Sequence, residues 1–280
     1  MHIHHEKNNM SQDFPIRLFV SDVRDIVPHW HEQLEIVYIF EGRAQIGING
    51  EVYTLYPKDI MIIPPGEVHF FNPDQYENKV LVLQFGRDFF DSDTCFLYNS
   101  KLAYPIIKYG DNKYNPEIHT QLQDYIIKIL QEISFKNKGY KLVIKSLLYN
   151  IVVFMARKMP FEYYSSIEKN KQLAKLEKLE KVFKYVEENY SKDIRLREIC
   201  KVANFSLFHF TRFFKYCTGY TFNTYLTKYR LRKSIELLKS TEDSITNISS
   251  KCGFNSIKTF NRVFKQEYKA TPSQFRKSNI

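Results

Sequence analysis

Ser206-Leu207-Phe208-His209-Phe210-Thr211-Arg212-Phe213-Phe214-Lys215 is answered fifty residues later by Ser256-Ile257-Lys258-Thr259-Phe260-Asn261-Arg262-Val263-Phe264-Lys265. Ser, an aliphatic residue, Phe, Arg, Phe and Lys recur at matched places, and the match runs on to Thr221 and Thr271 and to Tyr225 and Phe275. An internal repeat means one supersecondary unit used more than once. Each copy reads as a short helix. Ser is a strong N-cap, because its hydroxyl accepts from a first-turn amide that has no partner inside the helix. Leu207, Phe210 and Phe214 fall at i, i+3 and i+7, an inward apolar stripe that Ile257, Phe260 and Phe264 repeat. The opposite face carries Phe208, Thr211, Arg212 and Lys215 in one copy and Lys258, Asn261, Arg262 and Lys265 in the other. Guanidinium, ammonium, amide and hydroxyl groups suit the base edges and phosphates of a duplex major groove.

A short apolar segment precedes each copy: Leu196, Ile199 and Val202 lead into Asn204-Phe205, and Ile245, Ile248 and Cys252 into Gly253-Phe254-Asn255. Asn and Gly tolerate the left-handed backbone of a tight turn. Helix, short turn and polar-faced second helix make the helix-turn-helix plan.

Here the chain resembles a known family. Gly253-Phe254, Phe260, Arg262, Phe264-Lys265 and Thr271-Pro272-Ser273-Gln274-Phe275-Arg276 are similar to the signature of AraC/XylS-type transcription regulators. The resemblance covers about the last hundred residues. It implies two helix-turn-helix units joined by a long helix, here about Phe222 to Leu238, and two recognition helices entering successive major-groove segments of double-stranded DNA. Roughly 17 residues at 1.5 Å each span about 25 Å, against about 34 Å for one duplex turn. Three residues depart from the pattern: Lys269 stands where Gly is usual, Arg195 where a Ser or Thr cap is usual, and Phe208 is large and apolar on the outward face.

The charge of the 280 residues is divided in the same way. Residues 171–280 hold 23 Lys+Arg against 10 Asp+Glu, a surplus of 13, while the remainder hold 18 against 21, so the net +10 comes entirely from the part with the repeat. That asymmetry points to a polyanionic partner. Cys95, Cys200, Cys217 and Cys252 have no paired metal spacing, and buried thiols are expected rather than disulfides. The longest apolar stretch, Leu142 to Ala156, is interrupted by Lys145, Ser146 and Asn150, so no membrane span is expected. No signal-peptide pattern opens the chain, and a cytoplasmic protein is expected.

Residues 1–13, with His2, His4 and His5, are read as a mobile terminus. From Ile16 to about Phe85 the texture is β, with turn signals at Glu41-Gly42, Asn49-Gly50, Pro57-Lys58-Asp59 and Pro64-Pro65-Gly66. Ile46 to Tyr53 reads as a hairpin around Asn49-Gly50. The spacing suggests a jelly-roll barrel. Inside it, His29-Trp30-His31 with Glu35 and Gly42, then Pro64-Pro65-Gly66-Glu67-Val68-His69, are similar to the two cupin motifs. Lys58 and Asn72 depart from the second. Residues 29, 31 and 35 share parity, which on one regular strand places them on one face.

Three readings of that cluster compete: a metal site as in cupin enzymes, a polar lining for a small effector as in the sensor domains of AraC-type regulators, or a structural group. The expectation taken forward is an effector pocket of His29, His31, Glu35 and His69, with no catalytic residue, no metal and no cofactor. Trp30, Tyr38 and Arg43 are further candidates for its wall. Beyond Phe85, the apolar Phe89, Phe90, Phe96, Leu97, Leu102 and Ile106 suggest one or two helices on the barrel. Helices are expected over Pro116–Phe135 and Tyr140–Met159, the second apolar nearly all round, and the family resemblance implies a homodimer through this pair.

The domain plan is 1–13 mobile, 14–160 cupin-like effector-binding and dimerisation domain, 161–175 linker, and 176–280 double helix-turn-helix domain, the fold being α+β multidomain. The first helix of the last domain is expected from Leu173 or Leu176 to Tyr190. The functional expectation is a sequence-specific DNA-binding regulator responding to a small molecule, for which a sugar is one candidate. The alternative is a metal-dependent cupin enzyme with an accessory DNA-binding domain.

Overall fold

The computed structural model describes residues 14, 16–21, 26–72, 77–86, 95–111 and 116–278. The expectations for residues 1–13 and for Phe89 and Phe90 lie outside the described residues. The chain divides into two compact units, the first ending at Ala174 and the second beginning at Lys175.

The first unit is strand-rich. Its strands β1 (Ile16–Ser21), β2 (Ile26–His29), β3 (Leu34–Gly42), β4 (Ala44–Ile48), β5 (Glu51–Leu55), β6 (Ile60–Ile63), β7 (His69–Asn72) and β8 (Asn78–Phe85) lead to helix α1 (Cys95–Asn99) and strands β9 (Ser100–Leu102) and β10 (Ile106–Ile107). One sheet has the order β1-β8-β3-β6-β10 and a second β2-β7-β4-β5, all antiparallel. The β4–β5 hairpin turns at Asn49-Gly50 with Ile48 opposite Glu51, where the dipeptide placed it.

Alternation decides what each face of the first sheet touches. Val37, Ile39, Met61, Ile63, Val80 and Val82 pack against Ile46, Leu55 and Phe71 of the second sheet. The intervening Ile36, Tyr38, Ile60, Ile62, Leu81 and Leu83 pack outward against helices α2 (Pro116–Phe135) and α3 (Tyr140–Lys158). Both helices match their expected bounds to within a residue. Tyr38 is therefore no pocket wall, because it lies under α2, where Gln123 Nε2 donates to its hydroxyl at 2.9 Å. The stretch after Phe85 holds less helix than its apolar residues suggested. Phe96 and Leu97 lie on the short α1, whereas Leu102 and Ile106 lie on strands, the latter opposite Met61 of β6.

The expected linker 161–175 is ordered secondary structure instead. Strand β11 (Phe161–Tyr163) pairs with β9, and helix α4 (Ser166–Asn189) starts seven residues before Leu173. Ser165 makes that early start possible. Its hydroxyl accepts from the Glu168 amide at 3.2 Å, and Glu168 accepts from the Ser165 amide at 2.9 Å, a reciprocal box that closes the first turn.

The second unit is helical. After α4 come α5 (Leu196–Val202), α6 (Leu207–Thr218), α7 (Phe222–Ser240), α8 (Ile245–Lys251), α9 (Ile257–Tyr268) and α10 (Pro272–Ser278). α6 and α9 stand fifty residues apart with matching caps: Ser206 accepts from the His209 amide and Ser256 from the Thr259 amide. In one half Phe183 of α4 stacks on Tyr225 and both meet Phe214 edge-on, and Leu231, Leu238, Ile248, Phe260 and Phe264 form the core of the other. No helix among the described residues is long and apolar enough to cross a membrane.

Candidate functional site

The barrel brings His29, His31, Glu35 and His69 together, though not in the way their parity suggested. They do not share a strand. His29 ends β2 in one sheet, Glu35 lies on β3 in the other, and His31 sits in the crossing between them. His69 begins β7, where it is the register partner of His29. Exposure of the four is 5%, 1%, 2% and 0%, so they pack on one another inside the barrel. His29 and His69 ring centroids are 4.2 Å apart and those of His31 and His69 4.9 Å. Glu35 Oε2 lies 3.0 Å from His31 Nε2 and 3.7 Å from His69 Nε2.

One member of this group carries no motif signal. Gln84 of β8 stands opposite Glu35 in the ladder, donates to Glu35 Oε2 at 2.7 Å and brings the same amide nitrogen 3.2 Å from His31 Nε2. Its only trace in the sequence is an amide at the end of the apolar run Val80-Leu81-Val82-Leu83. Arg17 of β1 in turn donates to the Gln84 side-chain oxygen Oε1 at 3.4 Å.

Burial works to raise the Glu35 carboxyl, but the charge of His69 and the hydrogen bonds from His31 and His69 prevail and hold it well below the usual carboxylate range. Burial, helped by His69 and His31, pushes His29 well below the ordinary imidazole value. The loop bearing His69 is tied down from several sides. The Gly66 amide donates to the His31 carbonyl at 2.9 Å, Gln172 of α4 donates to the Gly66 carbonyl at 3.0 Å, and Tyr164 donates to Glu67 at 3.1 Å. Asn49 also bonds Glu67. Each of His29, His31 and His69 offers one ligand atom, all within 4.8 Å of one another, so these three could hold a metal ion.

In the second unit Phe208, Thr211, Arg212 and Lys215 of α6 are exposed, as are Lys258, Asn261, Arg262 and Lys265 of α9. The inward stripe is shorter than expected. Phe210, Phe214, Phe260 and Phe264 are fully buried, but Leu207 and Ile257 are exposed, because the first helical residue of each copy lies beyond the edge of its core. Phe208, 64% exposed, carries the Arg212 guanidinium over its ring at 5.4 Å. This i, i+4 cation–π contact lets an apolar side chain serve on a polar face.

The two units correspond to known families separately and together. Residues 22–152 match the AraC-like ligand binding domain, and residues 199–278 match a helix-turn-helix domain. The HTH-type transcriptional activator RhaS of Mannheimia succiniciproducens is 28% identical over 277 residues, covering 96% of each chain. The HTH-type transcriptional activator RhaR of the same organism is 25% identical over 286 residues, 99% of this chain and 96% of the relative. Among solved structures, unsaturated fatty acid bound ToxT of Vibrio cholerae aligns over 93% of this chain and 94% of its own with TM-score 0.48 and 16% identity. Sequence matches across barrel and duplicated helical unit alike place the chain in the AraC family of transcription regulators, which bind DNA through the helix-turn-helix part and a small-molecule effector through the barrel.

Proposed function

We propose that this protein is a cytoplasmic, homodimeric transcription activator and not an enzyme. α6 and α9 each enter a major-groove segment on one side of the duplex. The observation that carries the reading is the pair of exposed cationic faces, equivalent residue by residue and fifty positions apart. Arg212 and Arg262 make base or phosphate contacts, supported by Phe208, Thr211 and Lys215 on one helix and by Lys258, Asn261 and Lys265 on the other. α7, with 19 residues, is about 28 Å long, which suits two grooves one turn apart. The barrel takes a small-molecule effector, for which a sugar is one candidate, in a pocket lined by His29, His31, Glu35 and His69. Activation rests on the relatives RhaS and RhaR, both HTH-type transcriptional activators.

The second subunit binds the outer side of α3. Leu142, Tyr149 and Val153 fall at i, i+7 and i+11, and with Val143 they are exposed, Leu142 by 72%. Apolar side chains gathered on one helix face mark an interaction surface.

Footprinting on the protein's own upstream DNA tests the DNA reading, with two protected half-elements about 10 base pairs apart as the expected result. Arg212→Ala and Arg262→Ala are each expected to weaken binding by about 1–3 kcal/mol, roughly 5- to 150-fold. Variants that bind as tightly as the parent would refute the assignment of the two faces.

A further inference from the structure

α9 carries one acid among its cations. Glu267 is the sole acidic residue of that helix. It falls seven residues after Phe260 and three after Phe264, on the inward side and away from Lys258, Asn261, Arg262 and Lys265. There its carboxylate accepts a hydrogen bond from the ammonium of Lys228 on α7. Exposure of the two side chains is 10% for Lys228 and 17% for Glu267. Among the described residues Lys228 is the one lysine or arginine that is buried, so its charge is not offered to a phosphate. Neither residue belongs to the repeat. Fifty positions before Glu267 stands Cys217, and fifty after Lys228 stands Ser278. A buried charge is costly unless it is paired, and a pair that the two copies do not share belongs to the joint between them.

That joint reaches both polar-faced helices. Lys228 Nζ lies over the Tyr220 ring, 5.5 Å from its centroid and within cation–π range. Tyr220 follows the end of α6, and its amide donates at 3.2 Å to the hydroxyl of Thr218, the last residue of that helix. The Lys228 ammonium therefore stands between the end of α6 and the last turn of α9. The start of α9 is held elsewhere. A Cβ on Gly253, in the turn that leads into α9, would meet the Tyr190 carbonyl oxygen at 2.5 Å and Ser191 Cα at 2.9 Å, so this turn lies directly on the segment between α4 and α5. Arg230 of α7 fixes the same segment: Nε donates to the Tyr190 carbonyl at 2.8 Å and a terminal nitrogen to the Lys192 carbonyl at 2.7 Å. A rod held at both ends can neither slide nor pivot, whereas α7 by itself sets a distance and leaves the angle open.

We propose that Lys228 and Glu267 are positioning residues for DNA recognition: their ion pair holds α9 at one distance and angle from α6, and so sets the half-element spacing that the protein accepts. The inference rests on α6 and α9 being the helices that enter the grooves. Each added base pair moves the second half-element by about 3.4 Å and turns it by about 34°, and a helix fixed at both ends cannot follow. With the pair broken, α9 keeps its hold at Gly253 but swings at its Glu267 end, and neighbouring spacings become nearly equivalent.

The test uses the full chain and duplexes carrying the footprinted site with its half-elements at their own spacing, one base pair closer and one base pair further apart. The parent is expected to bind the two altered duplexes at least tenfold more weakly. Lys228→Met and Glu267→Gln are each expected to reduce that ratio to threefold or less. The two variants leave opposite charges without a partner, and a uniform change in attraction to DNA cancels in the ratio. The exchange of Lys228→Glu together with Glu267→Lys should restore the discrimination. Glu267→Gln keeps the shape of the side chain and carries the test alone where Lys228→Met does not fold. A Glu267→Gln chain with native circular dichroism and the parent's ratio, weakened equally at every spacing or not at all, would show that the pair only stabilises the unit and would overturn the proposal. So would a parent that binds all three duplexes alike. Arg212→Ala and Arg262→Ala are measured on the same duplexes. Weakened binding in these two with a ratio indifferent to Glu267→Gln sinks the positioning role alone, whereas parental binding in both sinks the recognition faces and the positioning role with them.

Discussion

At the scale of single residues the chemistry is set by enclosure. Burial pushes the Cys217 thiol up to about 11 and, with the charge of Glu236, the Cys252 thiol up to about 12. At pH 8 only about 1 in 1,000 of the first and fewer of the second are thiolates, the reactive form. Iodoacetamide at that pH should leave both unmodified in the native chain and label both in denaturant, as read by peptide mass spectrometry. Labelling of Cys252 at the rate of a model thiol, with circular dichroism still native, would contradict the packing. The exposed cations behave differently. Lys215→Ala should weaken binding to all DNA sequences alike and reduce the slope of log K against log salt by about one, because one phosphate contact is lost. A change of sequence preference instead would mean that Lys215 reads bases. Gln84 was not legible because an amide in a strand announces nothing until its cross-strand neighbour is known to be Glu35.

At the scale of elements, the two copies differ most where they stop. α6 ends on Gly219 in the left-handed region, φ 73°, and α9 ends on Lys269 in the same region, φ 57°. A side chain there is strained, and Lys269 Nζ recovers part of the cost by donating to the Gln266 carbonyl at 3.1 Å. Lys269→Gly is therefore expected to stabilise the second unit by about 1 kcal/mol, seen as a rise of a few degrees in its melting midpoint. Gly253→Ala should do the opposite and cost more, since φ is 79° and a Cβ would meet the Tyr190 carbonyl oxygen at 2.5 Å. A Gly253→Ala chain as stable as the parent would show that the α8–α9 turn can relax. The N-caps Ser206 and Ser256, the Asn49-Gly50 hairpin and the bounds of α2 and α3 were all readable beforehand. Each depends on residues within a few positions of one another. The start of α4 was not, because Ser165 and Glu168 lie in a polar stretch without the apolar spacing that reveals a helix.

At the scale of the molecule, the barrel leaves one helix face uncovered, and a second copy of the chain is its proposed occupant. Leu142→Glu with Val153→Glu places two charges in that face without touching the buried Ile144, Leu148 or Ile151. The expected outcome is a change from dimer to monomer by sedimentation, at an unchanged melting midpoint, with weaker binding to a site of paired half-elements. A wild-type chain that sediments as a monomer at all concentrations tested would remove α3 from consideration.

What the sequence determined by itself is the duplicated helical unit, its capped helices, its outward cations and the alternating strands before it. Periodicity, turn residues and caps act between near neighbours, and the chemistry of one face can be counted along the chain. Tertiary structure alone decided how the side chains of the barrel's interior meet and that Gln84 is among them. His29, His31, Glu35, His69 and Gln84 come from two strands of one sheet region, a crossing and two strands of the other. The likeness to the cupin motifs brought 29, 31, 35 and 69 to notice, but their meeting with 84 depends on the strand pairing of Glu35 with Gln84, 49 positions apart, a register set by the packing of whole sheets and not by any local signal.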